Sequence, residues 1–309
     1  PVWLMRQAGR YMQEYREIRS KTTFLELCKS PELCSEIMVT AVNRLGVDAA
    51  IIFSDLLPIL EPMGLDLEFA KGEGPVIHNP IREAADIDRV VELESVEALD
   101  FVMETVKLTR QELPADMPLI GFSGAPFTLA SYAIEGGSSR NYLNTKTIMY
   151  RDPGAWKELM GRFVRAITRY LNAQIAAGVQ CVQLFDSWAG LLPKKELPNY
   201  CYIPTLKIVE HIKSKKIPVI CFPKGIGESY EHFCSVVKPD CISIDYEVNP
   251  EWIKEKLNGI PIQGGLDPKI LLTDKENIKK NTEKYLNIFK DYPYIFNLGH
   301  GVLPETKPE

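Results

Sequence analysis

The residues best equipped for chemistry crowd into the first stretch of the chain, PVWLMRQAGRYMQEYREIRS, where Arg6, Arg10, Arg16 and Arg19 follow a short apolar run. The whole chain carries a formal net charge of -5. With no long-range field to draw in an anion, an anionic ligand would have to be held by a local cluster of fixed donors. Arginine suits that task, because its planar fork grips a carboxylate or phosphate through two parallel hydrogen bonds and stays charged at any working pH. Alone, the segment also reads as a solvated basic helix face. Gly9, inside Arg6-Gln7-Ala8-Gly9-Arg10, argues otherwise. A glycine costs a helix interior about 1 kcal/mol and suits a backbone that something approaches closely.

A matching carboxylate is Asp55, just past an apolar run at 49–53 and set among Ile51, Phe53 and Leu57. Such a group is costly to bury unless donors satisfy it, and it reads equally as the cap of a following helix. Other chemistries find little support. The four histidines (78, 211, 232 and 300) are too scattered to suggest a metal cluster, and there is no phosphate-binding P-loop. Seven cysteines without a CxxC pair fit reduced, mostly buried thiols, which points to a cytoplasmic compartment. An acidic chain without an extended basic stripe is not expected to bind nucleic acid. No run approaches the roughly 20 apolar residues of a membrane span.

The elements that must position these groups alternate. Short apolar runs at 2–5, 49–53, 119–122, 181–185, 218–222, 241–244, 261–263 and 294–297 read as strands. Amphipathic stretches between them, such as 31–45, 96–113, 153–177, 203–213 and 275–290, read as helices. Eight strands alternating with helices predict an α/β fold of the (β/α)8 TIM-barrel type, with a parallel sheet covered on both faces. Each strand is followed by polar residues: Arg6, Asp55, Ser123, Asp186 with Ser187, Lys224, Asp245, Asp267 and His300. In a barrel they would converge on the C-terminal face, where active sites of that fold are built. An open doubly wound sheet predicts a glycine-rich phosphate turn after the first strand, and none occurs. With no linker or repeat in view, residues 1–309 are expected to form a single domain.

Several segments resemble the uroporphyrinogen decarboxylase family: PVWLMRQAGRY at the start, IIFSDLLPILEPMG from Ile51, GPVI from Gly74, GFSGAPFTLASYAIEGG from Gly121, QLFDSWAG from Gln183, IQGGLDP from Ile262 and NLGHGVLPET from Asn297. The ordered set spans the chain and is far more specific than any one motif. The resemblance implies a (β/α)8 barrel, a homodimer, and cofactor-independent decarboxylation of the four acetate side chains of uroporphyrinogen to give coproporphyrinogen, without a metal. It implies a cytoplasmic location, or a plastid in a plant or alga. Residues 12–13, Gly265 and Tyr246 depart from the family pattern in loops, where the family often has proline, asparagine and a nearby tryptophan. Segments flanking both ends are expected beyond the sequence.

The chemistry is plausible on its own terms. Decarboxylation leaves an electron pair on carbon, usually taken up by a cofactor. A pyrrole protonated on a ring carbon can be its own sink, given an anion near its nitrogens and a cation near the departing carboxylate. By resemblance Asp55 is the stabilising carboxylate, Arg6 contacts the reacting acetate, and Arg10 binds substrate carboxylates, with Gln7, Ala8 and Gly9 in the same binding segment. A guanidinium is a poor general acid, so a water or the substrate's own carboxyl group remains an alternative proton donor. Tyr132, Ser187 and His300 match substrate-contacting positions, although alone they read as a core tyrosine, a turn serine and a loop histidine between two glycines. Arg19 is a further candidate. Asp186, Lys224, Asp245 and Asp267 read equally as ion pairs shaping the mouth. One rival is a zinc-dependent corrinoid or thiol methyltransferase of the same superfamily, which would need a His-x-Cys pair after a strand. His232-Phe233-Cys234 has that spacing, but in a helix-like stretch. The other is a non-enzymatic tetrapyrrole carrier.

Overall fold

The computed structural model describes residues 1–70, 74–257 and 259–309. Three helices come first: α1 (Gln13–Arg19), α2 (Phe24–Cys28) and α3 (Pro31–Leu45). Strand β1 (Ala50–Ile51) leads to a small antiparallel pair, β2 (Leu67–Ala70) and β3 (Gly74–Ile77), which the strand rhythm did not predict. Then follow α4 (Asp100–Glu112), β4 (Leu119–Gly124), α5 (Pro126–Glu135), α6 (Leu143–Arg151), α7 (Pro153–Ala177) and β5 (Cys181–Asp186). The last part runs α8 (Ile203–Ser214), β6 (Val219–Pro223), α9 (Ser229–Val237), β7 (Cys241–Ile244), α10 (Pro250–Lys256), β8 (Ile262–Gly264), α11 (Lys275–Ile288) and β9 (Tyr294–Ile295).

Seven strands form one parallel sheet in the order β1-β4-β5-β6-β7-β8-β9. Because they are parallel, all their C-terminal ends lie at one rim, and so do the residues that follow them. Every residue of β6 and β7 is buried, as expected when helices cover one face and the concave interior fills the other. The sheet curls. Gln263 of β8 donates through Nε2 to Oε1 of Gln183 on β5 at 3.0 Å, although two strands stand between them in the sheet. In a flat sheet those strands would be about 14 Å apart, beyond the reach of two glutamines. Trp3 Nε1 donates to Gln263 Oε1 at 2.9 Å, and Gln263 Nε2 also meets Ser243 Oγ at 3.2 Å. These fully buried polar groups thereby satisfy one another inside the curl.

Residues 2–5 do not form the strand expected of them. Val2 makes a single parallel bridge to Phe296, while Asp48 N donates to Val2 O at 2.8 Å. Phe296 N also donates to Pro1 O at 2.9 Å, so the extended start of the chain is bonded to residues flanking both outer strands. The pairing ends because side chains take the next donors: Leu4 N gives to Gln7 Oε1 at 3.0 Å and Met5 N to Asn297 Oδ1 at 3.0 Å.

Helix α5 carries part of the rim. It begins with Pro126 in its first turn, directly after β4, and stops at Gly136, whose φ of 81 closes it in the left-handed region. Thr128 and Tyr132, one turn apart, share a face.

Candidate active site

At the rim lies a cleft of about 1070 Å³. Among the residues lining it are the strand-end groups Asp55, Ser187, Lys224 and His300, together with 6–10 from the N-terminal segment. Of the sequence candidates, the structure therefore brings Arg6, Gln7, Ala8, Gly9, Arg10, Asp55, Ser187 and His300 to one cavity. Arg19 joins them, its guanidinium 5.9 Å from the ring centre of Phe24. Tyr132 is not in the lining. It stands behind, half-buried and edge-on to Trp188 with ring centres 5.9 Å apart. The charges of Asp55 and Arg6 still act on its phenol, whose pKa burial raises. Arg16 serves the loop instead, donating to the carbonyls of Arg10 at 3.0 Å and Tyr11 at 2.9 Å.

Arg6 has a φ of 60, a left-handed conformation that costs a non-glycine residue roughly 1–2 kcal/mol. The neighbouring turn holds it there. Gln7 N donates to Leu4 O at 2.9 Å, and Val302 N to Met5 O at 2.9 Å. The Gln7 side chain is buried, accepting from Leu4 N and donating through Nε2 to Ala49 O at 3.0 Å. Gln7 thus offers the cavity its main chain, while its amide is spent on the wall. Both glycines near Arg6 now have a reason. A Cβ at Gly9 would stand 3.0 Å from Arg6 O, and one at Gly301 would overlap the Arg6 side chain. Gly299 packs on the main chain of residues 245–246. At all three positions the missing side chain leaves room for the protein's own atoms, and Gly9 and Gly301 also line the cleft.

Asp55 is half-buried, and its Oδ1 accepts from Leu57 N at 3.0 Å at the start of the helical turn Pro58–Leu60. The capping and cavity roles weighed from sequence are compatible in one side chain. Burial pushes the carboxyl above its ordinary range, against the opposing pull of the Leu57 amide and the Arg6 guanidinium.

His300 accepts at Nδ1 from Gly301 N at 2.7 Å. That bond leaves the ring proton on Nε2. Burial first, then the positive charges of Lys224 and Arg6, push its pKa down to about 4. The ring is thus a neutral donor at neutral pH.

Ion pairs were one of two readings for the acidic strand ends, and among the described residues Asp186, Asp245 and Asp267 form none. Asp186 is buried, with Thr128 Oγ1 donating to Oδ1 at 2.7 Å and Cys201 Sγ to Oδ2 at 3.2 Å. Burial raises its pKa to about 6. Asp245 accepts from Tyr230 OH and Gly225 N, both at 2.8 Å, and Asp267 accepts from Lys269 N at 2.9 Å. Neutral donors at close range have taken the carboxylates, and among the described residues no ion pair involves Lys224.

Sequence reasoning also missed an apolar wall. Phe122, Phe185 and Phe222 line the cleft and meet edge to face, with ring centres 5.5 and 6.3 Å apart. The available signal was that the apolar runs 49–53, 119–122, 181–185 and 218–222 each end at a phenylalanine. Periodicity alone did not say which face those rings take.

The pair considered for zinc is split. His232 and Cys234 lie two positions apart on α9, about half a helical turn, which sends them to different sides: His232 is exposed and Cys234 buried. Among the described residues no helix is long and apolar enough to cross a membrane.

The fold has distant structural neighbours. A methyltransferase from Methanosarcina mazei superposes with a TM-score of 0.78 at 16% identity, over 94% of this chain and 86% of the other. A B12-independent methionine synthase from Shewanella sp. W3-18-1 gives a TM-score of 0.61 at 13% identity, over 92% and 84%. At such identities the likeness concerns the fold alone. Sequence similarity reaches further. A protein of Carboxydothermus hydrogenoformans named uroporphyrinogen decarboxylase is 46% identical, over 100% of this chain and 89% of its own length. One of Geotalea uraniireducens with the same name is 43% identical, over 100% and 91%. The family description "Uroporphyrinogen decarboxylase (URO-D)" matches residues 1–309. The chain belongs to the uroporphyrinogen decarboxylase family.

Proposed function

We propose that the protein is a carboxy-lyase that removes the four acetate carboxyl groups of uroporphyrinogen as carbon dioxide, leaving methyl groups and giving coproporphyrinogen. The observation that carries this reading is the shared cleft of Asp55 and Arg6, a carboxylate and a cation in a space of about 1070 Å³ walled by phenylalanines. In each round a proton adds to a pyrrole ring carbon. The resulting cation accepts the electron pair of the breaking bond between the acetate methylene and its carboxylate. The exocyclic methylene takes a second proton to become methyl, and loss of the ring proton restores the pyrrole. One proton is consumed and one carbon dioxide released.

Asp55 accepts the pyrrole N–H groups and balances the ring cation, a task for a preorganised charge. Arg6 holds the reacting acetate, and Arg10 clamps other carboxylates, with the main chain of Gln7, Ala8 and Gly9 between them. Ser187 and neutral His300 donate to the substrate periphery. Tyr132 supports the site from the second rank. No organic cofactor or metal enters this scheme, because the ring is its own electron sink.

The bonds from the N-terminal residues toward both outer strands support a closed (β/α)8 barrel with that segment as the eighth staves' counterpart, and a single domain over 1–309. The resemblance to the family supports a homodimer in the cytoplasm, or in a plastid of a plant or alga. Anaerobic incubation with uroporphyrinogen, followed by chromatography of the carboxylated products, tests the activity. Stepwise loss of four carboxyl groups is expected, and unchanged substrate would overturn the reading.

A further inference from the structure

Lys224 is the first residue beyond β6, half-buried and facing the cleft. Its main chain is tied down on both sides. The amide N–H is shared by Asp186 O and Phe222 O, each at 3.1 Å, and the carbonyl accepts from Gly190 N at 3.0 Å. Gly225 follows with a φ of 81 and packs on Gly190 so tightly that a Cβ at position 190 would stand 2.6 Å from its carbonyl oxygen. The side chain therefore starts from a fixed point. Its natural partners are spent, because Asp186 at the end of β5 and Asp245 just past β7 are held by neutral donors.

A partly desolvated ammonium without a counter-ion is costly, and an anion from outside would relieve it. His300 presents a neutral Nε2–H in the same cleft, within the field of Lys224. A cation and a neutral donor lining one cleft suit a carboxylate. We propose that Lys224 is a substrate-binding residue that, with His300, holds a peripheral carboxylate of the tetrapyrrole. The inference rests on the decarboxylase reading and adds a second anchor to it. With one anchor the ring could pivot in the cleft; with two its rotation is set before an acetate reaches Arg6.

Steady-state kinetics of the full chain test this with Lys224→Ala, Lys224→Met and Lys224→Arg, and with Lys280→Ala on exposed α11 as a surface-charge control. The expected result is a rise in KM of about tenfold for the alanine and methionine variants, with kcat within threefold of wild type. Lys224→Arg should recover most of the affinity, because it keeps the charge. Wild-type KM should rise more steeply with salt than that of Lys224→Met, a readout that packing alone would not move. An unchanged KM in both neutral variants, or a wild-type salt dependence retained in them, overturns the assignment while wild-type turnover leaves the decarboxylase reading intact. Wild-type protein that fails to turn over uroporphyrinogen overturns both. Melting curves accompany each variant, and Lys224→Met, which keeps the stem, decides the case if alanine unfolds the rim.

Discussion

Gly301 lies so close to Arg6 that a Cβ there would stand 2.8 Å from Cγ and nearer still to Cδ of the arginine. The histidine loop thus shapes the space in which the guanidinium sits. Gly301→Ala should displace Arg6 and cut kcat/KM at least tenfold. Overpacking of this kind costs about 1–3 kcal/mol of stability, which thermal melting would report separately from the kinetics.

Asp55→Asn keeps an oxygen for the Leu57 amide, so the variant should fold. A neutral amide cannot balance a ring cation, and kcat should fall by about 100- to 1,000-fold. Because burial raises the Asp55 pKa, wild-type activity should decline on acidification through a value above the ordinary carboxylate range. A variant with near-normal kcat would remove Asp55 from the mechanism.

His300 should show no ionisation between pH 5 and 8, since its pKa is pushed down to about 4. A depressed histidine pKa means that the folded state disfavours the proton, so the group's contribution to stability is lost as pH falls from its ordinary 6.5 toward that value. Proton NMR of the imidazole gives the midpoint directly, and a midpoint near 6.5 would contradict the neutral-donor assignment.

Asp186 is the reverse case. Its folded pKa is raised from 3.8 to about 6, so the stability linked to it is present below the lower value and lost as pH rises through the higher one. Two units or so correspond to a linkage on the order of 3 kcal/mol. Asp186→Asn should therefore flatten the pH dependence of stability between about 4 and 6, measured by urea melts across that range.

Gln7→Ala would leave Leu4 N and Ala49 O without their side-chain partners. Each unsatisfied buried group costs about 1–3 kcal/mol. A lower Tm is expected together with reduced kcat, because the turn that holds Arg6 in its left-handed conformation loosens. A fall in activity at unchanged Tm would instead assign the Gln7 amide to the substrate.

Much of the site is written locally. The run of apolar residues before Asp55, the glycines around His300 and the strand-by-strand return of a polar residue are near-neighbour patterns, and a parallel sheet carries all of its strand ends to one rim. Of the residues read this way, Arg6, Asp55, Ser187, Lys224 and His300 line one cleft, while Ser123, Asp186, Asp245 and Asp267 stand outside its lining; the family resemblance added Arg10 and named the chemistry. Local pattern was blind to contacts made across the curl. Nothing in the spacing of Gln183 and Gln263 says that they meet, since the bond depends on how far the sheet bends. The same holds for Gln7 turned into the wall, Gly301 yielding room to Arg6, and the phenylalanine wall beneath the rim. Only the tertiary structure decided which neighbours each aspartate found. Thr128, Cys201 and Tyr230, distant in sequence, reach Asp186 and Asp245 through helix packing. Lys224, at the end of the strand between them, lines the cleft.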